Sequence, residues 1–140
     1  MMNVVLDTNV IVSAVRSSTG ASFRTLELAF HNAFTMHIST PLLLEYEEVL
    51  LQKTSMNRGA VESFLATLLE IADEHEIYFL FRGVLHDDDD AMLLELAIKA
   101  QATIITHNIK HFSKAHDYGI TVLQPQEFVH LLRKSHDDNH

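Results

Sequence analysis

The sequence predicts an α/β protein built on a parallel sheet, and two observations carry that expectation. Five short strand-like runs, at 3–7, 34–38, 77–81, 103–105 and 121–123, alternate with longer stretches whose apolar residues recur at helical spacing. Strands that alternate with helices build βαβ units. With 140 residues, the chain also fits one domain, which at that size buries roughly 68 to 70% of its unfolded surface. The domain is expected over 1–134, with 135–140 as a disordered tail.

The elements follow in order. Residues 3–7 read as a buried strand, and Asp7 opens the run Asp7-Thr8-Asn9-Val10-Ile11-Val12-Ser13-Ala14, where a strand meets a helix. The stretch 21–32 carries Phe23, Leu26, Leu28, Ala29 and Phe30 at mostly helical spacing and leads into the second strand. Thr40 and Pro41 mark the next helix start, with Thr40 as cap and Pro41 at the first helical position, and that helix runs to Lys53. An amphipathic segment at 57–73 precedes the apolar run 77–81, read as the third strand. A strong helix at 89–101, strands at 103–105 and 121–123, and a closing helix at 125–133 complete the pattern.

Composition narrows the chemistry. The chain has no cysteine, which excludes disulfides, thiolate zinc sites and a cysteine nucleophile, and suits a reducing cytoplasm. No apolar run approaches the roughly 18 residues of a membrane helix, and the N-terminus enters a strand without a basic region or cleavage site, so a soluble, unsecreted, cytoplasmic protein is expected. A formal net charge of −9 with only ten Lys and Arg argues against broad affinity for phosphate backbones. It does not exclude a nuclease, because carboxylates that hold divalent cations count as negative although the bound ion reverses the local field.

Three groups of acids invite a site. Asp7 either caps the following helix or belongs to the crevice that open α/β sheets form outside the carboxyl ends of their strands. In the helix from Pro41 to Lys53 the apolar stripe is Leu42, Leu43, Tyr46, Val49 and Leu50, which leaves Glu45 and Glu47 on its flanks and Glu48 toward solvent. Periodicity does not separate Glu45 from Glu47. In the helix at 89–101, Asp90, Leu93, Leu94 and Ala97 fall on one stripe, so Asp90 faces the core, Asp88 points away, and Asp87 and Asp89 lie on the flanks. A buried carboxylate is costly unless paired, hydrogen-bonded or metal-bound. The bland alternative for all four of these acids is a solvated first turn that favours the helix dipole. Mg²⁺ and Mn²⁺ are hard ions that prefer carboxylate and water oxygens, so a few acids with an open coordination sphere suffice to orient a water for in-line attack on a phosphate.

The residues resemble a known family. Val4-Val5-Leu6-Asp7-Thr8-Asn9, Ser39-Thr40-Pro41-Leu42-Leu43-Leu44-Glu45-Tyr46, Asp88-Asp89-Asp90 with Leu94-Glu95-Leu96-Ala97, Ile104-Ile105-Thr106-His107-Asn108, and Gly119-Ile120-Thr121-Val122-Leu123-Gln124-Pro125 together are similar to a PIN domain, closest to the toxin components of bacterial and archaeal toxin–antitoxin pairs. The resemblance runs essentially end to end. It implies a three-layer α/β/α fold with a five-stranded parallel sheet and a metal-dependent endoribonuclease using Mg²⁺ or Mn²⁺. It maps the family's catalytic and metal-binding acids onto Asp7, Glu45 and Asp90, choosing Glu45 over Glu47. It also makes Thr8, Asn9, Thr106 and Asn108 supporting residues, with Thr8 and Asn9 bracing the first carboxylate. The partners it implies are an RNA substrate, single-stranded or structured, an antitoxin protein and a second copy of the chain in a homodimer. Asn108 stands where the family often has a fourth acid, which predicts weaker binding of a second metal.

Other residues have bland readings beside functional ones. His107, His111 and His116 cluster after the fourth strand and invite an acid or base role against that of surface histidines. Arg16, Arg24, Lys110 and Lys114 flank the proposed site as phosphate contacts or as ordinary solvated charges. Phe23, Phe30 and Phe34 read as core or dimer contacts, and the closing His136-Asp137-Asp138-Asn139-His140 as an incidental metal-binding tail. The alternative function is a catalytically weak PIN-like module that binds RNA or protein without cutting. A phosphatase fits poorly, because such enzymes place a second Asp two residues after the first and this chain has Asn9. A neighbouring gene for a small DNA-binding protein is the cheapest discriminator.

Overall fold

The computed structural model of the chain describes residues 1–85 and 87–138, with side chains through Ser135. Its centre is β1 (Asn3–Leu6), whose Val4, Val5 and Leu6 are fully buried. A strand covered on both faces must be apolar on both, which is why this run shows no alternation. β1 pairs in parallel with β2 (Thr35–Ser39) on one side and β4 (Thr103–Ile105) on the other. The short strands β3 (Asp73–His75) and β5 (Val122–Leu123) complete a five-stranded parallel sheet in the order β3-β2-β1-β4-β5. Helices α1 (Thr8–Arg16), α2 (Ala21–Phe30), α3 (Thr40–Lys53), α4 (Arg58–Ile71), α5 (Asp88–Ala100) and α6 (Pro125–Asp138) flank the sheet, with a 3-10 segment at Ile109–Tyr118 between β4 and β5. This is the expected α/β/α architecture.

Chain order positions the site. The sheet grows outward from β1 through β2 to β3, and then crosses back to place β4 on the opposite side of β1. Ligands of open α/β sheets bind at the carboxyl edge where the order reverses. Here that reversal lies between β1 and β4.

Several local expectations need correction. The third strand is Asp73–His75, not 77–81. Tyr78 N and Leu80 N donate instead to the carboxylate of Glu95, at 2.7 and 2.6 Å, and Phe79 between them adopts a left-handed φ of 57°. A buried acid thus takes the main-chain donors that a sheet neighbour would have used. α3 is capped by Ser39, whose Oγ accepts from Leu42 N, so Thr40 is its first helical residue and not the cap. α5 is buried continuously from Ala91 to Ala97, with Glu95 inside, rather than along one stripe. α2 buries Ser22 and Thr25 beside Leu26 and Ala29, because Thr25 Oγ1 bonds Ala21 O and Ser22 Oγ bonds His107 Nε2, each at 2.8 Å. α6 continues past Arg133 to Asp138. Asn139, His140 and the side chains of the rest of the closing motif lie outside the described residues.

Phe34 is core, edge-on to Phe128, and Phe30 meets Phe64 of α4 in the same way. Leu26 is buried as well. Phe23 and Phe30 are half-buried.

Candidate active site at the β1 to β4 boundary

An open cleft of about 640 Å³ lies between α1, α3 and the first turn of α5, and Asp7, Glu45 and Asp90 all line it. Each arrives by a different route. Asp7 follows the last residue of β1, and its main-chain N–H extends the ladder to Ile105 O at 2.9 Å. Tyr46 is fully buried and its hydroxyl donates to Leu6 O, so α3 is tied to the end of β1 by the residue next to Glu45. Asp90 stands in the first turn of α5, where Asp87 caps the helix by accepting from Asp89 N and Asp90 N. Glu47 does not line the cleft. Asp88 is exposed and also lies outside it.

The Asp7 carboxylate is held on both oxygens. Oδ1 accepts from Thr8 N at 2.8 Å; Oδ2 accepts from Thr106 Oγ1 at 2.7 Å and from Asn9 Nδ2 at 3.3 Å. Asn9 also accepts from His107 N at 3.2 Å, which joins α1 to the loop after β4. Thr106 Oγ1 in turn accepts from Asn108 N at 3.0 Å. Thr8 thus braces Asp7 through its main chain. The Thr8 hydroxyl is buried without a hydrogen-bond partner among the described residues. It lies near enough to Glu45 to favour that carboxylate, but not within hydrogen-bond geometry.

The electrostatics are those of crowded acids. Burial raises Asp7 above the usual carboxylate range, against the lowering effect of its Thr106 and Thr8 hydrogen bonds. Burial pushes Glu45 up to about 7, with Asp89, Asp7 and Asp90 adding repulsion. Burial likewise pushes Asp90 to about 6, with repulsion from Asp7 and Asp87 partly offset by His111. Clusters of carboxylates with raised pKa in a cleft are a recurring feature of functional sites.

A hard divalent cation suits this donor set. The oxygens are carboxylates, their repulsion calls for a positive charge, and the orphaned Thr8 hydroxyl offers a partner to an ion's water. Among the described residues, no group of three or more His, Asp or Glu is arranged to ligate an ion by itself. The fit is therefore to a cation that keeps several waters, as Mg²⁺ does, and not to a closed protein cage.

A family model described as the PIN domain matches residues 3–110, a span that contains Asp7, Glu45, Asp90, Thr106 and Asn108. The chain belongs to the PIN domain family. This PIN domain is 28% identical to Ribonuclease VapC2 of Rickettsia felis over 120 residues, covering 78% of this chain and 89% of that protein. In fold it is similar to the crystal structure of VapBC2 from Rickettsia felis bound to a promoter DNA fragment, with a TM-score of 0.64, 23% identity, and coverage of 88% of this chain and 98% of that one. It is also similar to VapBC-1 from nontypeable Haemophilus influenzae, with a TM-score of 0.64, 19% identity, and coverage of 89% and 99%.

Beyond the acids, the site of this PIN domain holds residues of uneven legibility. His111 lines the cleft and places Nδ1 3.5 Å from Asp90 Oδ2. His107 turns away to Ser22, and His116 lies outside the cleft. Of the cations singled out from sequence, Arg16 reaches the cleft, Arg24 pairs with Glu27, and Lys114 donates to Val84 O at 3.2 Å. Lys53 also lines the cleft and was missed in the sequence. Its signal was there: Glu45, Val49 and Lys53 recur at intervals of four, one face of α3.

Proposed function

We propose that this PIN domain is a metal-dependent endoribonuclease that cuts single-stranded or structured RNA, acting as the toxin of a toxin–antitoxin pair. The observation that carries the reading is the convergence of Asp7, Glu45 and Asp90 on one cleft at the sheet's reversal point, each with its pKa raised. The named activity of the Rickettsia relative supports it, as do the VapBC structures of similar fold. An antitoxin protein is the partner this reading implies.

In this proposal Asp7, Glu45 and Asp90 hold a Mg²⁺ or Mn²⁺ ion, which when bound supplies charge neutralisation and Lewis acidity for attack of water on a phosphodiester. Thr106, Asn9 and the Thr8 main chain fix the Asp7 carboxylate in one orientation, the usual role of groups behind a metal ligand. Asn108 lines the cleft beside them as a neutral group, which limits the charge available to a second ion. Water is the nucleophile in this reading: the chain has no cysteine, and neither Ser13 nor Thr8, both lining the cleft, has a base hydrogen-bonded to its hydroxyl among the described residues.

A binding module that does not cut is the second reading, favoured by Asn108, a neutral amide in the cleft. Expression in cells separates the two. The nuclease reading expects slowed growth that Asp7→Ala relieves without loss of soluble protein; slowed growth that persists in Asp7→Ala favours the binding module.

A further inference from the structure

The chain has ten Lys and Arg against nineteen Asp and Glu, so the placement of its few cations is informative. Four of the ten are engaged elsewhere. Arg24 pairs with Glu27, Arg82 lies over the Phe79 ring, Lys99 donates to Glu76 O, and Lys114 donates to Val84 O. Arg16 and Lys53 are the two that line the cleft, both are exposed, and neither has an ion-pair or hydrogen-bond partner among the described side chains. They end two adjacent helices whose earlier turns carry the acids. Arg16 lies eight residues beyond Thr8 on α1, and Lys53 eight beyond Glu45 on α3. At 1.5 Å per residue the backbone of each cation lies about 12 Å further along its helix axis than Thr8 or Glu45.

We propose that Arg16 and Lys53 form a phosphate clamp that grips the backbone of single-stranded RNA at a nucleotide flanking the cut bond. The proposal rests on the nuclease reading of the cleft and adds to it the end from which the strand is held. The acidic end repels phosphates until a cation neutralises it, so affinity for an uncut strand has to come from elsewhere. Two unpaired cations in the same cleft supply it. Guanidinium and ammonium groups recognise phosphate oxygens, the first bidentately and the second as a point charge. Both side chains leave their helices two turns beyond Thr8 and Glu45, which suits a neighbouring phosphate better than the reacting one. The bland reading of each is a cation in the last turn of its helix, complementing the dipole. That reading predicts an effect on stability and none on the salt dependence of RNA binding.

The test is fluorescence anisotropy with a labelled single-stranded RNA of mixed sequence, in EDTA so that no strand is cut, over a series of salt concentrations. Each phosphate contact on a single strand contributes a slope of about −0.7 to log K against log salt. Arg16→Ala and Lys53→Ala should each lower the slope's magnitude by about 0.7, and the pair by about 1.4. Lys134→Ala on α6 should leave it unchanged, and the melting temperature of each variant shows whether it folds. With metal restored, KM for RNA should rise far more than kcat falls. Slopes equal to wild type in both variants overturn the clamp, as does wild type that binds no RNA. Metal-dependent cleavage with unchanged slopes leaves the nuclease reading standing and the clamp refuted. Altered slopes without any cleavage leave the grip of Arg16 and Lys53 on RNA standing, and refute the nuclease reading together with the grip's place beside a cut bond.

Discussion

Thr106 Oγ1 donates to Asp7 Oδ2 at 2.7 Å, across the boundary where β1 and β4 lie side by side. The register pairs Leu6 with Ile105, so the next residue on each strand meets its neighbour just beyond the sheet, and the contact follows from strand pairing rather than loop geometry. Thr106 is fully buried, so no water replaces it.

Thr106→Val should therefore cost both activity and stability. Loss of a hydrogen bond to a charged group costs about 1.5–3 kcal/mol. Loss of a group that orients a metal ligand typically lowers metal affinity or activity about 10- to 100-fold. Thr106→Ser should restore most of both. Cleavage rates and thermal melts on the three proteins check it.

The raised pKa values give the metal-free protein a specific pH response. Glu45 moves from 4.5 to about 7 on folding. Between those values the folded state keeps a proton that the unfolded state has lost, so the contribution to stability falls as pH rises and is lowest above 7. Asp90, at about 6, acts in the same direction over a narrower window. In EDTA, Glu45→Gln should be more stable than wild type at pH 8 and nearly equal to it at pH 4, as read by denaturant midpoints. Saturating Mg²⁺ should shrink the difference at pH 8.

Much of this was legible because it depends on periodicity and caps. Val4 to Leu6 declares a buried strand, and Pro41 and Asn57 mark helix starts within a residue. What was not legible depends on partners far away in sequence. The run 77–81 has a strand's composition, yet the distant Glu95 takes its donors. The choice between Glu45 and Glu47 was closed to periodicity and rested on the family resemblance. The structure separates them physically, because Tyr46, bound to Leu6 O, turns the Glu45 face toward Asp7. Lys53 shares the face of Glu45 and Val49, but as the last residue of α3 it reads from sequence as an ordinary cation at a helix end.

Glu95→Ala should release the segment it holds. Two main-chain donors lose a buried acceptor, at about 1–3 kcal/mol each. The exposed Tyr78 and Leu80 then have no anchor. Limited proteolysis should cut within 76–85 much faster than in wild type, while Asp7-dependent activity falls less than stability does.

Metal stoichiometry follows from Asn108. Calorimetry with Mn²⁺ should report one dominant site that is lost in Asp90→Asn, and a strengthened second site in Asn108→Asp. Unchanged binding in Asp90→Asn would show that this acid holds no ion.

The most direct test incubates purified protein with single-stranded RNA and Mg²⁺ or Mn²⁺, beside Asp7→Ala and a sample in EDTA, and identifies the product ends. Wild type should cut slowly and leave 5′ phosphates and 3′ hydroxyls, with no cleavage by Asp7→Ala or in EDTA. Equal cleavage by wild type and Asp7→Ala, or products with a cyclic 2′,3′-phosphate, would contradict a metal-positioned water held by Asp7.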